Sequence, residues 1–576
     1  LYYNKLASLV ILNQPATSGT PGRKNSTYSA SLGPGLSQLI HHPAVPAPDE
    51  SITISVRATD PDGLSALLWR YSINEGTFRS IPMAQAGRDL WSAVIPGQPS
   101  NSRLQFYVEA RDESPGGNLS YAPSGGPDSR AIIVVSTPNT GGIQQSVRIN
   151  MLSSEANAMH SANDILSNHR FGCTLITDEK NIAYDSGIRL RGSMFSRSSS
   201  SNTALNLKFP ANRRYRGTHS TITVRRGNRR EILVKHIVNT AGGIHDNYND
   251  IIHLNGHIPA QSGRARLEMS RFGKIYLKSL PGGNGEDGTV FKMEGIRQFE
   301  ATQDGSANTP KKPFPIGWIP HFDLADQGED KEIYRNNIRI NTGLARDDYN
   351  SLIRMCKLFS MNGQALEDEV PSAIDVDRWT RQFAMLSLCG IGDTYSQGNP
   401  HNLNLYARPD GLVEPMPWDW DFTFNRSSSA SLWGNRNVAK IFSRPVYTRM
   451  FHGHLYDIIY SVYNAGYLTP WFNHLGTVSG ENYSGHISYV TSRANFVLSQ
   501  LPTQVAFAVT TNGGADFSVD QPTTVLTGDG WVNVREIFIE DAELPLPVVW
   551  IDANSWQVTL PLRPGANTFK ILATNH

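Results

Sequence analysis

Polar and apolar positions alternate through SITISVRATD, ALLWRYSI, LWSAVIP and LQFYVEARD, with turn-forming clusters between them at roughly ten-residue spacing. Period-two runs bury one face of each strand and wet the other, so the spacing predicts an antiparallel β-sandwich over residues 36–136. Within it, DPDG at 60–63 could offer carboxylates to calcium. No third acidic ligand follows at EF-hand spacing, and the segment reads as a tight turn. Residues 1–35 hold one alternating run, LYYNKLASLVIL, and then the linker-like TSGTPGRKNSTYSASLGPG. The opening inside a strand reads as a trimmed piece of a longer polypeptide.

After a polar joint, TPNTGGIQQ at 137–145, the texture becomes mixed α/β from about residue 146 to 500. Helical periodicity is clearest at 345–390 and 446–500. Asp375 is expected to cap the helix that begins DVDRWTRQF. The tail, 501–576, returns to alternating runs (VAFAVTT, WVNVREIFIED, PVVWID, WQVTLPL, FKILAT) and reads as a second small sandwich. No fixed-period repeat runs through the chain, which excludes a solenoid. The predicted fold class is multi-domain: an α/β (α+β) centre flanked by all-β sandwich modules.

Composition narrows the partners. Of 576 residues, 52 are Lys or Arg and 51 are Asp or Glu, a formal charge of +1. So even a balance argues against nucleic acid or an anionic membrane as the main partner, since both call for a basic excess. Charged residues make up 18%, below the ~25% of ordinary soluble domains; Ser, Thr, Asn and Gly fill the difference, as in loop-rich surface proteins. No run approaches the ~18 apolar residues of a membrane span. Cys173, Cys356 and Cys389 are far apart and match neither a zinc site nor a redox pair, so they read as buried thiols.

Candidate chemistry concentrates in GDTYSQGNPHNLNLYARPDGLVEPMPWDWDFTFN, residues 392–425. Asp393 follows an apolar helix, Asn402 precedes an alternating strand, and Asp419 and Asp421 follow a turn and a second strand. Phosphoryl transfer to a hydroxyl needs a carboxylate near the acceptor proton and oxygen ligands for a phosphate-bridging cation, and a strand–turn–strand would fold Asp419 back beside Asn402. The same residues are also compatible with an acidic turn anchored by Trp418 and Trp420 in the core. A second block, GIRLRGSMFSRSSSSNTALNLKFP at 187–210, sets a Gly/Ser loop between strands, where backbone amides can meet phosphate, though SRSSSSN reads equally as a flexible solvated loop. Three further signals are set aside. GNGEDGTV at 283–290 has the glycine-loop pattern but two acids that repel phosphate, His253 and His257 read as polar loop residues, and the basic stretch 213–230 reads as a solvated hairpin.

Asp393, then HNLNLY, then PWDWDF resembles the signature of the CotH (spore coat protein H) kinase family, an atypical kinase-like fold. The resemblance implies that Asp393 is the base-like aspartate, Asn402 a metal ligand, and Asp419, with Asp421 as the alternative, the metal-binding aspartate. In the second block Arg191, Gly192 and Ser193 match the family's RG-x-S-S loop, which implies nucleotide contacts from Arg189, Arg191, Ser193 and Lys208. EILVKHIVNTAGGIHDNYNDIIHLNGHIPA at 231–260 looks like the family's helix and crossover. Two departures stand out: SNTA replaces the paired lysines after the serines, and Lys278 follows IYL where a strand-ending glutamate is usual. The flanking runs resemble immunoglobulin-like or fibronectin-type-III modules, and TPGRKNS resembles the closing turn of a lamin-tail domain. The implied protein is extracellular or cell-surface and of bacterial type, using ATP and Mg2+ to phosphorylate surface or coat proteins. The alternative is a catalytically degenerate scaffold that self-assembles into a layer, filament or adhesive particle.

Overall fold

The computed structural model describes residues 31–137, 145–161, 165, 167–192, 197, 203–226, 230–281, 285–293, 298–302, 311–314, 323–395, 402–434 and 436–575. Residues 1–30, most of the polar joint and Ser193 lie outside them. The chain divides into two compact units, Leu1–Pro138 and Asn139–His576.

Among its described residues the first unit contains nine strands: β1 (Gly35–His42), β2 (Ile52–Thr59), β3 (Leu64–Ile73), β4 (Arg79–Pro82), β5 (Ala84–Gln85), β6 (Leu90–Ile95), β7 (Arg103–Asp112), β8 (Leu119–Ala122) and β9 (Ala131–Val134). They form one antiparallel sheet in the order β1-β2-β6-β5 and another in the order β4-β3-β7-β8, with β9 also on β7. Alternation decides what is buried: Ile52, Ile54, Val56 and Ala58 from β2, and Leu104, Phe106, Val108 and Ala110 from β7. His41 of the first sheet meets Phe106 of the second edge-on at 6.1 Å, so the two sheets pack face to face. DPDG is a turn in which the Asp62 amide donates to Asp60 Oδ1 at 2.8 Å. A third acid nevertheless arrives, not along the sequence but from the end of β7: Asp112 lies with Asp60 and Asp62 in a cluster whose carboxylate oxygens fall within 4.8 Å of one another.

The second unit opens with β10 (Gln145–Asn150), β11 (Phe171–Thr177), β12 (Asn181–Arg191), β13 (Ala204–Lys208), β14 (Thr221–Val224), β15 (Asn249–Asn255) and β16 (Arg264–Met269). These close into a barrel in the order β10-β11-β12-β13-β14-β16-β15, sealed by the parallel pairing of β10 with β15. Its interior is mostly apolar, filled by Val147, Leu175, Ile188, Leu190, Leu205, Leu207, Val224 and Ile252 among others. Alternation then puts Ile251, Leu267 and Met269 on the outside of β15 and β16, where they join the core built around helix Glu231–Ala241.

Three sequence readings change here. The basic stretch is a solvated hairpin only in its first half: Arg213, Arg214 and Arg216 are exposed in the turn between β13 and β14, but Thr221–Val224 is a barrel strand and Arg225 just beyond it is buried. His253 lies on β15 rather than in a loop; His257 sits in the bend that follows, as expected, but is buried, with its Nε2 2.8 Å from that of His160. IYLK is a helix, Lys274–Lys278, not a strand. The strand is RARLEM, and its glutamate, Glu268, points into the barrel, where the hydroxyls of Tyr215 (2.7 Å) and Tyr248 (3.1 Å) donate to it.

Beyond the barrel come β17 (Thr289–Met293), the hairpin β18 (Gln298–Thr302) with β19 (Lys311–Phe314), and then β20 (Ile338–Thr342), β21 (Leu403–Ala407) and β22 (Val413–Pro417). The sheet β20-β17-β21-β22 backs onto helices Asn350–Ser360, Val376–Leu388, Pro445–Ser461, Ala465–Ser479 and His486–Ser499. Asp375 caps Val376–Leu388, accepting from the Arg378 amide at 3.1 Å. Gly390 ends that helix with φ 55°, a turn that only a residue without Cβ makes freely, and a Cβ there would also strike the Tyr489 hydroxyl. The tail adds β23 (Ala508–Val509), β24 (Thr523–Asp529), β25 (Val534–Ile539), β26 (Val549–Trp550), β27 (Ser555–Pro561) and β28 (Ile571–Asn575), in sheets β23-β24-β27-β26 and β25-β28. Among the described residues no helix is long and apolar enough to cross a membrane. All three cysteines are free and buried, and burial pushes their thiols well above the usual range.

Candidate functional site at the junction of barrel and helices

The turn at Gly390 releases the chain at Asp393, and the hairpin β21–β22 brings it back. Leu403 pairs with Pro417, and one step further the Trp418 amide donates to the Asn402 carbonyl at 2.9 Å. A second tie, from the Gly392 amide to the Phe422 carbonyl (3.1 Å), draws the two acidic segments together. Asn402 Nδ2 donates to the Asp393 carbonyl at 2.7 Å and to its carboxylate at 3.3 Å. Asn402 (φ 53°) and Asp419 (φ 66°) both adopt the left-handed conformation, which Asn and Asp tolerate better than most residues and which often marks working sites. The hairpin thus gathers Asp393, Asn402, Asp419 and Asp421 around one turn.

The barrel supplies the cations. Since Ile188 and Leu190 face its interior, Arg189 and Arg191 face outward. Arg191 lies over the Trp418 ring, 4.8 Å from its centroid. Burial, reinforced by repulsion from Arg225, lowers its pKa to about 9, against the pull of Asp419. Arg189 donates to Asn168 Oδ1 at 2.7 Å, and Arg170 and Arg197 stand close enough for their charges to repel it. Lys208 is not part of this group: it is exposed and opposite Gly187, four positions along β13 from Ala204, the partner of Arg191, or roughly 13 Å.

The cation that reaches the acidic turn is one the sequence reading passed over. Arg225 is held by its own amide, which donates to the Leu267 carbonyl at 2.8 Å and so continues the barrel edge. Its guanidinium bonds Asp419, lies 3.2 Å from Glu231 and 3.7 Å from Asp421, and Arg226 is 3.6 Å from Asp421. Burial opposes the charge on Arg225, but Asp419, Glu231 and Asp421 outweigh it and hold its pKa above the usual arginine range. Asp421, in contrast, is raised to about 6, first by burial and then by the negative charge of Asp419. Glu231 opens helix Glu231–Ala241; its Oε1 accepts from the Trp420 amide at 3.3 Å, while its buried Oε2 has no hydrogen bond. The signal was present in VRRGNRREIL, a cation and an anion flanking a helix start, but charge alone does not say which arginine turns inward.

The implied divalent metal can be tested against these residues. Carboxylate and amide oxygens are the right donors for Mg2+. Among the described residues, however, the acids of the junction do not gather within 4.8 Å as a metal trio; they converge on Arg225. As arranged here Asp419 and its neighbouring acids are committed to Arg225 rather than open to a metal.

Residues 297–509 match the family model described as CotH kinase protein. The barrel, with Arg189, Arg191, Arg225 and Glu231, lies outside that match. No curated protein matches the chain. Among solved structures, a bromine derivative of BhCBM56 is 15% identical, covering 12% of this chain and 71% of its own, with a TM-score of 0.11. The twitchin kinase region from C. elegans is 10% identical, covering 92% of this chain and all of its own, with a TM-score of 0.18. At these scores neither likeness bears on the fold. What the match adds to the geometry is a likeness for the acidic turn: in this multi-domain, mixed α/β chain, the segment 297–509 that contains it is similar to the CotH kinase protein family.

Proposed function

We propose that the barrel and helices form a phosphotransfer domain that binds ATP against the outward arginines and passes its γ-phosphoryl group to a Ser or Thr hydroxyl of an extracellular surface or coat protein. The observation that carries this reading is the hydrogen-bonded pair Asp393–Asn402, set by the β21–β22 hairpin beside Asp419 and Arg191. In the reaction the acceptor oxygen attacks the γ-phosphorus, the bond from that phosphorus to the ADP oxygen breaks, and the hydroxyl proton passes to the half-buried Asp393 carboxylate. Arg189 and Arg191 would balance phosphate charge, because loose phosphoryl transfer is catalysed mainly by positioning and electrostatics.

Incorporation of labelled γ-phosphate should fall by about 100-fold or more in Asp393→Asn, the usual scale for losing a positioned base. Equal incorporation by wild type and variant would overturn the role of Asp393. A second reading, the non-catalytic scaffold, is favoured by the pairing of Arg225 with Asp419. Absence of both ATP binding and phosphate incorporation in the wild-type chain would decide for it.

A further inference from the structure

We infer that Arg225 is a built-in cation that takes the place of a divalent metal at the acidic turn, so that metal enters only by displacing it. The phosphotransfer reading supplies the expectation that a metal belongs here; the exclusion itself stands on the residues. Three carboxylates, Asp419, Asp421 and Glu231, surround one guanidinium. Guanidinium stays charged at any working pH and spreads five donors in a plane, so it can serve several carboxylates at once where an ammonium would favour one. Mg2+ requires near-octahedral oxygen ligands at ~2.0–2.1 Å, a convergence that carboxylates splayed around a planar cation do not offer.

Glu231 makes the substitution hard to reverse. It is 1% exposed, and its Oε2 has no hydrogen bond, so the nearby positive charge of Arg225 is what compensates it. A metal bound at Asp419 and Asp421 would push Arg225 away and leave a buried carboxylate uncompensated, which is strongly unfavourable. Retreat of Arg225 is opposed by its own burial, with its amide fixed to β16, and by the nearby positive charge of Arg191. The chain would therefore meet phosphate with arginines and without a bridging metal.

The test uses Mn2+ alone, without nucleotide, on the full chain, with free Mn2+ followed by electron paramagnetic resonance. Wild type is expected to show no tight site that Asp419→Asn removes. Arg225→Gln, and Arg225→Gln with Glu231→Gln, which removes both ends of the buried pair, should bind one Mn2+ about 100-fold more tightly. Adding Asp419→Asn to either should abolish that gain. Micromolar Mn2+ binding by wild type that is lost in Asp419→Asn would overturn the inference, even if neither Arg225 variant folded. So would a folded double variant that binds no more tightly than wild type. Loss of phosphate transfer would not touch this result, and metal exclusion would not by itself refute ATP binding.

Discussion

Single residues in this chain are governed by what their charges meet once buried. Glu268 is the clearest case: it has no exposed surface, two tyrosine hydroxyls donate to it, and Arg216 is 3.6 Å away. Burial nevertheless dominates and raises its pKa from 4.5 to about 7. The sign follows from linkage: the folded state holds the proton more tightly than the unfolded state, so the stabilisation is fully present below about 4.5 and is lost as pH rises through about 7. Melting temperature measured from pH 4.5 to 8 should therefore decline for wild type. It should decline less for Glu268→Gln, which keeps an acceptor for the tyrosines without a titrating charge, and the gap corresponds to roughly 3 kcal/mol at most. Parallel profiles would show that the carboxyl is not held protonated. The same contest between burial and charge runs the other way at Arg225, where three anions outweigh desolvation.

At the scale of elements, one side chain of the helices reaches into the carboxy-terminal sheets, beside the edge-on contact of Tyr456 with Trp531. Arg449, on helix Pro445–Ser461, is 4% exposed and donates to the carbonyls of Gly530, Trp531, Val534 and Ala553 while lying over the Trp550 ring. The Trp531 indole in turn donates to the Pro502 carbonyl at 2.8 Å, fastening the segment where the sequence reading sets a domain boundary. Arg449→Met should strip four carbonyls of this donor, of which Trp531 keeps the Val534 amide, and cost about 3 kcal/mol, since each buried unsatisfied group costs ~1–3 kcal/mol. Limited proteolysis should then cut near 503–507, where Thr503, Gln504 and Ala506 are exposed, much faster than in wild type. Unchanged cleavage would mean that the apolar contacts alone hold the sheets in place.

For the molecule as a whole, the two compact units make a separate claim. Residues 31–137 bury their own core, with Trp69 and Phe106 fully enclosed between two sheets. This segment is expected to fold alone and melt as one cooperative transition, which calorimetry on the isolated segment would show. A broad, non-cooperative trace would mean that it depends on the rest of the chain. Self-assembly of the scaffold reading, and the extracellular setting, are expectations of the same scale, to be checked on native particles.

What the sequence determined by itself is whatever depends on neighbours along the chain. Period-two burial in β2, the cap at Asp375 and the hairpin that returns Trp418 to Asn402 are local patterns, and each was legible in the letters. Where the pattern was weak or interrupted, the reading failed: TTVLTGD gave no clear signal for β24, and IYLK looked like a strand though it is a single helical turn. What only the tertiary structure decided is which charges meet. Asp112 joins Asp60 and Asp62 from the far end of another strand, and Glu268 turns into the barrel rather than toward the site. Arg225, one of several arginines in a basic run, is the one whose strand ends against Leu267 and whose guanidinium therefore lands among Asp419, Asp421 and Glu231. Alternation fixes the face on which a side chain leaves its strand; only the closure of the barrel against the helices fixes what that face meets.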